Sequence, residues 1–151
     1  WLTDESLPVQ IPDDDEMQAD LCASPYSWKT NMTINKRAAE MAASELTEKP
    51  LAQPTAEPLS GDITVRGQVF FQDEERKITS GTWECEPGQS RWEFLSRGEV
   101  IHVLAGRMTV QQDGEEAVEL SAGSDAVFPV GWTGVWTVHE TLRKVYVIYG
   151  A

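Results

Sequence analysis

Two carboxylates six residues apart, Glu93 and Glu99, are the side chains of this 151-residue chain best placed by type and spacing to do chemistry. Turned together into an apolar interior, they raise the pKa of at least one member, giving an acid and a base in one pocket or a seat for a hard cation. Regular strand alternation sends Trp92 and Phe94 to one face and Glu93 to the other. A bulge ahead of Glu99 reconciles either arrangement with an inward Glu99. The alternative leaves Glu93 as a solvated strand residue and pairs Glu99 with an arginine. Arg91, Arg97 and Arg107 are the cations nearest this region, able to hold a carboxylate substrate or to neutralise Glu93 or Glu99.

The chain has two histidines, and no His-x-His pair exists. His102 lies three residues beyond Glu99, so alternation puts it on the opposite face, while His139 falls in a His-Glu-Thr turn at the surface. Cys22 and Cys85 are far apart, with neither Cys-x-x-Cys nor Cys/His spacing. No disulfide framework and no Cys/His nucleophile is expected, and a reduced cytoplasmic pair is the simpler reading. There are six tryptophans. Those in the second part of the chain, Trp83, Trp92, Trp132 and Trp136, either supply core area or line a ligand cavity. Trp132 follows Pro129-Val130-Gly131 and is the best rim candidate. With Trp92, Trp136 and Arg107 it makes up the expected substrate pocket.

What must position these residues is a set of short strands. From Gly67 onward the hydrophobic period is two, in runs at Gln68–Gln72, Ile78–Cys85, Arg91–Leu95, Val100–Leu104, Arg107–Gln112, Ala117–Leu120, Ala126–Pro129, Gly134–Val138 and Leu142–Tyr149. Turn pairs such as Pro87-Gly88, Ala105-Gly106, Asp113-Gly114 and Ala122-Gly123 separate them. Eight or nine strands so spaced predict an all-β sandwich or jelly-roll barrel over residues 61–151. Residues 1–60 read as an N-terminal extension: an acidic, proline-containing arm with Asp13 to Glu16 at its centre, then one helix near 35–49 capped by Asn35. Pro50, Pro54 and Pro58 follow as a linker.

Net charge is −13, with 11 acidic and 4 basic side chains in residues 1–60 and 14 and 8 in the remainder. No basic stripe exists to track phosphates, so neither nucleic acid nor an anionic membrane is an expected partner. No apolar run approaches the ~20 residues of a membrane helix, and no secretory signal is visible at the start. A cytoplasmic protein is expected. The proline-rich arm and the aromatics predict a homodimer, with the arm able to clasp a second subunit.

Glu99-Val-Ile-His-Val-Leu-Ala-Gly106 resembles the end of the first cupin motif, a carboxylate seven residues ahead of a turn glycine. Gly123-Ser-Asp-Ala-Val-Phe-Pro129-Val-Gly131 resembles the start of the second, G-x5-P-x-G. The flanks Gly81–Gly88 and Gly134–Tyr146 are similar to the cupin family named for (S)-ureidoglycine aminohydrolase, and to the barrel of the ethanolamine-utilisation Q protein. The resemblance covers roughly residues 65–151. It implies a single RmlC-like barrel and a pocket for a small polar metabolite, which the protein binds or transforms. A non-enzymatic ligand-binding or accessory module is the alternative.

Metal-binding cupins use two histidines, a glutamate and a third histidine, positions that correspond here to Trp92, Phe94, Glu99 and Gly134. The aminohydrolase pattern corresponds to Glu93, Leu95, Glu99 and Gly134. Only carboxylates remain as ligands, so no cofactor is expected. A divalent Mn, Fe, Ni or Zn ion would have Glu99 and Glu93 as its sole candidates.

Overall fold

A computed structural model describes residues 32–150. The acidic arm around residues 13–16, its clasping role and Cys22 lie outside the described residues. Nine strands follow in order: β1 (Thr47–Pro50), β2 (Glu57–Pro58), β3 (Thr64–Asp73), β4 (Ile78–Cys85), β5 (Gly88–Glu93), β6 (Arg97–Gln112), β7 (Val118–Ser121), β8 (Asp125–Phe128) and β9 (Thr133–Gly150). All pairings are antiparallel.

Two long strands make this a barrel. β6 and β9 run side by side from Arg97 opposite Gly150 to Gln112 opposite Gly134, and each serves two faces. The first half of β6 takes β8 as its other neighbour, while the second half of β9 takes β4, which leads to β3 and β1. The remaining halves take β7 and β5, and β5 leads to β2. The result is the all-β jelly-roll barrel that the turn spacing predicts. The strands at its margins are blunted: β1 ends on Pro50 and β2 on Pro58, which cannot donate to a further ladder.

Two expected hairpins are absent. Val100–Leu104 and Arg107–Gln112 belong to one strand, and His139 sits inside β9 and not in a turn. Register shifts between Val103 and Met108 absorb the change of direction without ending the ladder. Gly106 is the pivot, with φ +85° and a position where a Cβ would lie 2.2 Å from the Thr141 carbonyl oxygen. Only glycine tolerates both conditions.

The helix expected near 35–49 is replaced by two single 3-10 turns, Ala38–Glu40 and Ala43–Glu45, before the chain extends into β1. Small alanines give a helix little surface to bury, and tertiary partners take its backbone. Arg143 donates to the carbonyls of Ala38 and Met41 at 3.2 and 2.5 Å. Ala38 and Leu46 are buried, and β1 pairs with β3. The sheet therefore reaches back to Thr47, ahead of residue 61.

Candidate functional site

Strand alternation decides what enters the barrel. On β9, Trp136, Val138, Leu142 and Lys144 are buried while the residues between them are more exposed. On β5 and just beyond it, Trp92 and Phe94 are buried and Glu93 is not. Five rings fill the centre. Trp92 stacks on Trp136 at 3.9 Å and on Phe94 at 5.8 Å between centroids. Phe94 stacks on Phe128 at 5.5 Å, and Trp132 meets Phe128 edge-on at 5.0 Å. The Trp92 indole N–H donates to the Ser90 hydroxyl at 2.9 Å.

Against this aromatic wall lies one buried ion pair. The Lys144 ammonium donates to Glu99 Oε1 at 2.5 Å, with side-chain exposures of 2% and 4%. Lys144 lies across the ladder from Trp83 on β4 and Val103 on β6. Its Nζ is 4.6 Å from the centroid of Trp83, 4.7 Å from Trp136, 5.8 Å from Tyr146 and 5.9 Å from Trp92. Ring faces and a carboxylate thus replace the water an ammonium normally holds. Burial pushes the Lys144 pKa down, and Glu99 opposes that shift. The Trp136 indole N–H is also buried and has no hydrogen-bond acceptor among the described residues.

The carboxylate pair does not form. Glu99 is inward, but the Glu93 side chain is 52% exposed and lies 3.5 Å from Arg91. Alternation on β5 outweighs any bulge, because the inward positions there are taken by Trp92 and Phe94. The cation that neutralises Glu99 is a lysine from the last strand and not an arginine. Arg91 forms a bidentate pair with Asp113, at 3.0 and 2.7 Å, and holds that carboxyl down to about 2. The Arg107 side chain is 41% exposed and lies 3.8 Å from Glu119, so it does not join Trp132, Trp92 and Trp136. Those three tryptophans are core residues: Trp92 stacks on Trp136, and Trp132 packs against Phe94 and Phe128.

Lys144 belongs to neither cupin motif and is not marked by their spacing. Its signal was present: in Leu142-Arg-Lys144-Val-Tyr146-Val-Ile148 a lysine occupies the apolar phase of a two-residue period. His102 Nδ1 lies 2.7 Å from Asp125 and His139 Nε2 2.7 Å from the Thr109 hydroxyl, both at the surface as expected.

The donor set does not fit a divalent metal. Trp92 and Phe94 offer no lone pair directed inward. A Cβ on Gly134 would lie 2.6 Å from the Trp132 ring and 2.3 Å from the Gln111 carbonyl oxygen. Glu99 already has its cation. Among the described residues, no group of three His, Cys, Asp and Glu side chains comes together.

Cys85 is buried and its thiol donates to the Glu86 carbonyl at 3.3 Å. Burial pushes its pKa up to about 12, leaving about one thiolate in ten thousand at pH 8. In a Cys22→Ser background, a chromogenic disulfide reagent is therefore expected to titrate no thiol in the folded protein and one after denaturation. Immediate titration of the native variant would contradict this burial.

Residues 72–146 match the family model for the EutQ-like cupin domain. The EutQ protein of Clostridium difficile is 27% identical with a TM-score of 0.51, over 59% of this chain and 64% of its own. This chain thus spans less than two thirds of that protein. A putative ethanolamine utilization protein Q of Salmonella typhimurium shares the fold at 17% identity and TM-score 0.52, over 70% of this chain and 98% of its own. So does a predicted oxalate decarboxylase of Thermotoga maritima, at 15% identity and TM-score 0.54, over 80% and 100% of the two chains. No curated protein matches the chain. Among the described residues, no helix is long and apolar enough to cross a membrane. Residues 72–146 are therefore similar to the EutQ-like cupin domain, carried on a barrel that has the cupin fold.

Proposed function

We propose that this protein is a metal-independent binding or accessory module, in which the cupin barrel is a closed scaffold and recognition occurs on its outside. The observation that carries this reading is the Lys144–Glu99 pair. The carboxylate that a metal-using cupin would direct at its ion is here neutralised by an ammonium from the same chain. The space around that pair is occupied by Trp83, Trp92 and Trp136. Aminohydrolase chemistry is not part of the proposal, because Glu93 faces outward and Leu95 is 67% exposed, so the metal-ligand constellation that chemistry uses is not assembled.

In this reading the barrel interior is packing, and a small polar metabolite binds outside it. A saturable metabolite of that class is expected to bind equally well with and without EDTA in ligand-observed NMR. It should shift backbone amides at the surface and not those of Trp92, Glu99 and Trp136. Binding abolished by EDTA, or shifts centred on those interior residues, would contradict the proposal.

A further inference from the structure

Outside the barrel, the 53–57 segment and the β5–β6 connection enclose a cleft of about 480 Å³, a size suited to a small molecule. One wall is anchored in the fold. Leu51 and Ala56 are buried in the core, and Glu57 and Pro58 are paired with β5. Four charged side chains line it: Glu57, Arg91, Glu93 and Arg97. Arg91 is already engaged by Asp113 and Glu93.

The other two charges have no oppositely charged partner within ion-pair distance among the described residues. The Arg97 guanidinium rests over the Phe94 ring at 5.7 Å and makes one long bond, 3.5 Å, to the Thr55 carbonyl. No carboxylate lies within ion-pair distance of it among the described residues. Glu57 sits across the ladder from Arg91, which binds elsewhere, and it too has no cation within ion-pair distance among the described residues. A guanidinium backed by a ring face keeps its edge open for two parallel bonds to a carboxylate.

We propose that this cleft binds a small zwitterion, an amino acid or short ω-amino carboxylate, with its carboxylate on Arg97 and its ammonium towards Glu57. The inference rests on the reading that recognition lies outside the barrel, and it names the ligand class. A cleft with one free charge of each sign matches a ligand with one of each. A lone carboxylate would leave Glu57 unanswered, and a lone amine would leave Arg97 so.

The test is an amide NMR titration of the whole chain with γ-aminobutyrate, propionate and propylamine. Saturable shifts confined to residues 53–57 and 91–97 are expected, with the zwitterion binding about tenfold more tightly than either singly charged probe. That factor corresponds to about 1.4 kcal/mol. Arg97→Gln should weaken γ-aminobutyrate about tenfold while the rest of the spectrum is unchanged, which shows that the variant is folded. Glu57→Gln should abolish the advantage over propionate and leave propionate itself unaffected. Non-saturating shifts, equal affinity for propionate, or binding indifferent to Arg97→Gln would overturn the proposal. Saturable EDTA-resistant binding at another surface would overturn the cleft alone, whereas shifts centred on Glu99 would overturn the outside-the-barrel reading with it.

Discussion

Lys144→Met is expected to destabilise the protein by about 3–5 kcal/mol, because it leaves an ionised Glu99 buried and without its partner. Glu99→Leu should be costly for the converse reason, leaving an ammonium with ring faces but no counter-charge. Glu99→Leu/Lys144→Met together should recover most of that loss, since well-packed apolar replacements of a buried ion pair are commonly neutral or stabilising. Denaturant unfolding of the four proteins reads this cycle directly, provided the m-values agree. Single variants within about 1 kcal/mol of the parent, or a double variant as weak as the sum of the singles, would show that the pair is not coupled.

The same variant carries a pH signature. Burial lowers the Lys144 pKa in the folded state, so the unfolded chain binds more protons between that lowered value and the usual lysine value of about 10.4. Stability contributed through this group therefore rises with pH across that window. The difference between parent and Lys144→Met should isolate the slope, because the other lysines and tyrosines are common to both.

The second large effect is expected at Gly134, where the cupin motif would place a histidine. A Cβ there meets the Gln111 carbonyl oxygen at 2.3 Å, the Trp132 ring at 2.6 Å and Gln112 Cα at 2.9 Å. Two of these are backbone atoms of β6 and cannot rotate away, so the ladder itself must open. Gly134→His should cost about 3 kcal/mol, at the upper end of overpacking effects. For a chain of this size that is a fall in Tm of about 6–12 °C. A variant melting within about 2 °C of the parent would mean that the interior has room where the rings lie.

Much of this was legible in the chain. The turn glycines at 106, 123 and 131 have positive φ, and with Pro129 they mark the barrel because few other residues suit those positions. Alternation around Trp92 and Phe94 correctly divided inside from outside, and it argued against an inward Glu93. What alternation could not show is that strands continue through bends. Ala105-Gly106 and His139-Glu140-Thr141 read as hairpin turns, yet bulges carry β6 and β9 through them.

The partner of Glu99 was hidden for a different reason. It comes from 45 residues further on, and only the register of β6 against β9 brings the two together. The tryptophans were ambiguous because a ring that packs a core and a ring that lines a pocket have the same spacing. The Trp92–Trp136 stack, a three-dimensional fact, resolves those two as core. The short helix failed because Ala38 to Leu46 looked helical in isolation, while Arg143 and β3 offered its backbone better partners.

Under the proposed reading, the Lys144 ammonium occupies the electrostatic role that a metal has in metal-binding cupins. Elemental analysis of the natively purified protein, after incubation with Mn, Fe, Ni or Zn salts and desalting, tests it most directly. The Lys144–Glu99 pair predicts well under one tenth of an equivalent of any of these metals, unchanged by Glu99→Ala. Close to one equivalent of a single metal, lost in Glu99→Ala, would contradict it.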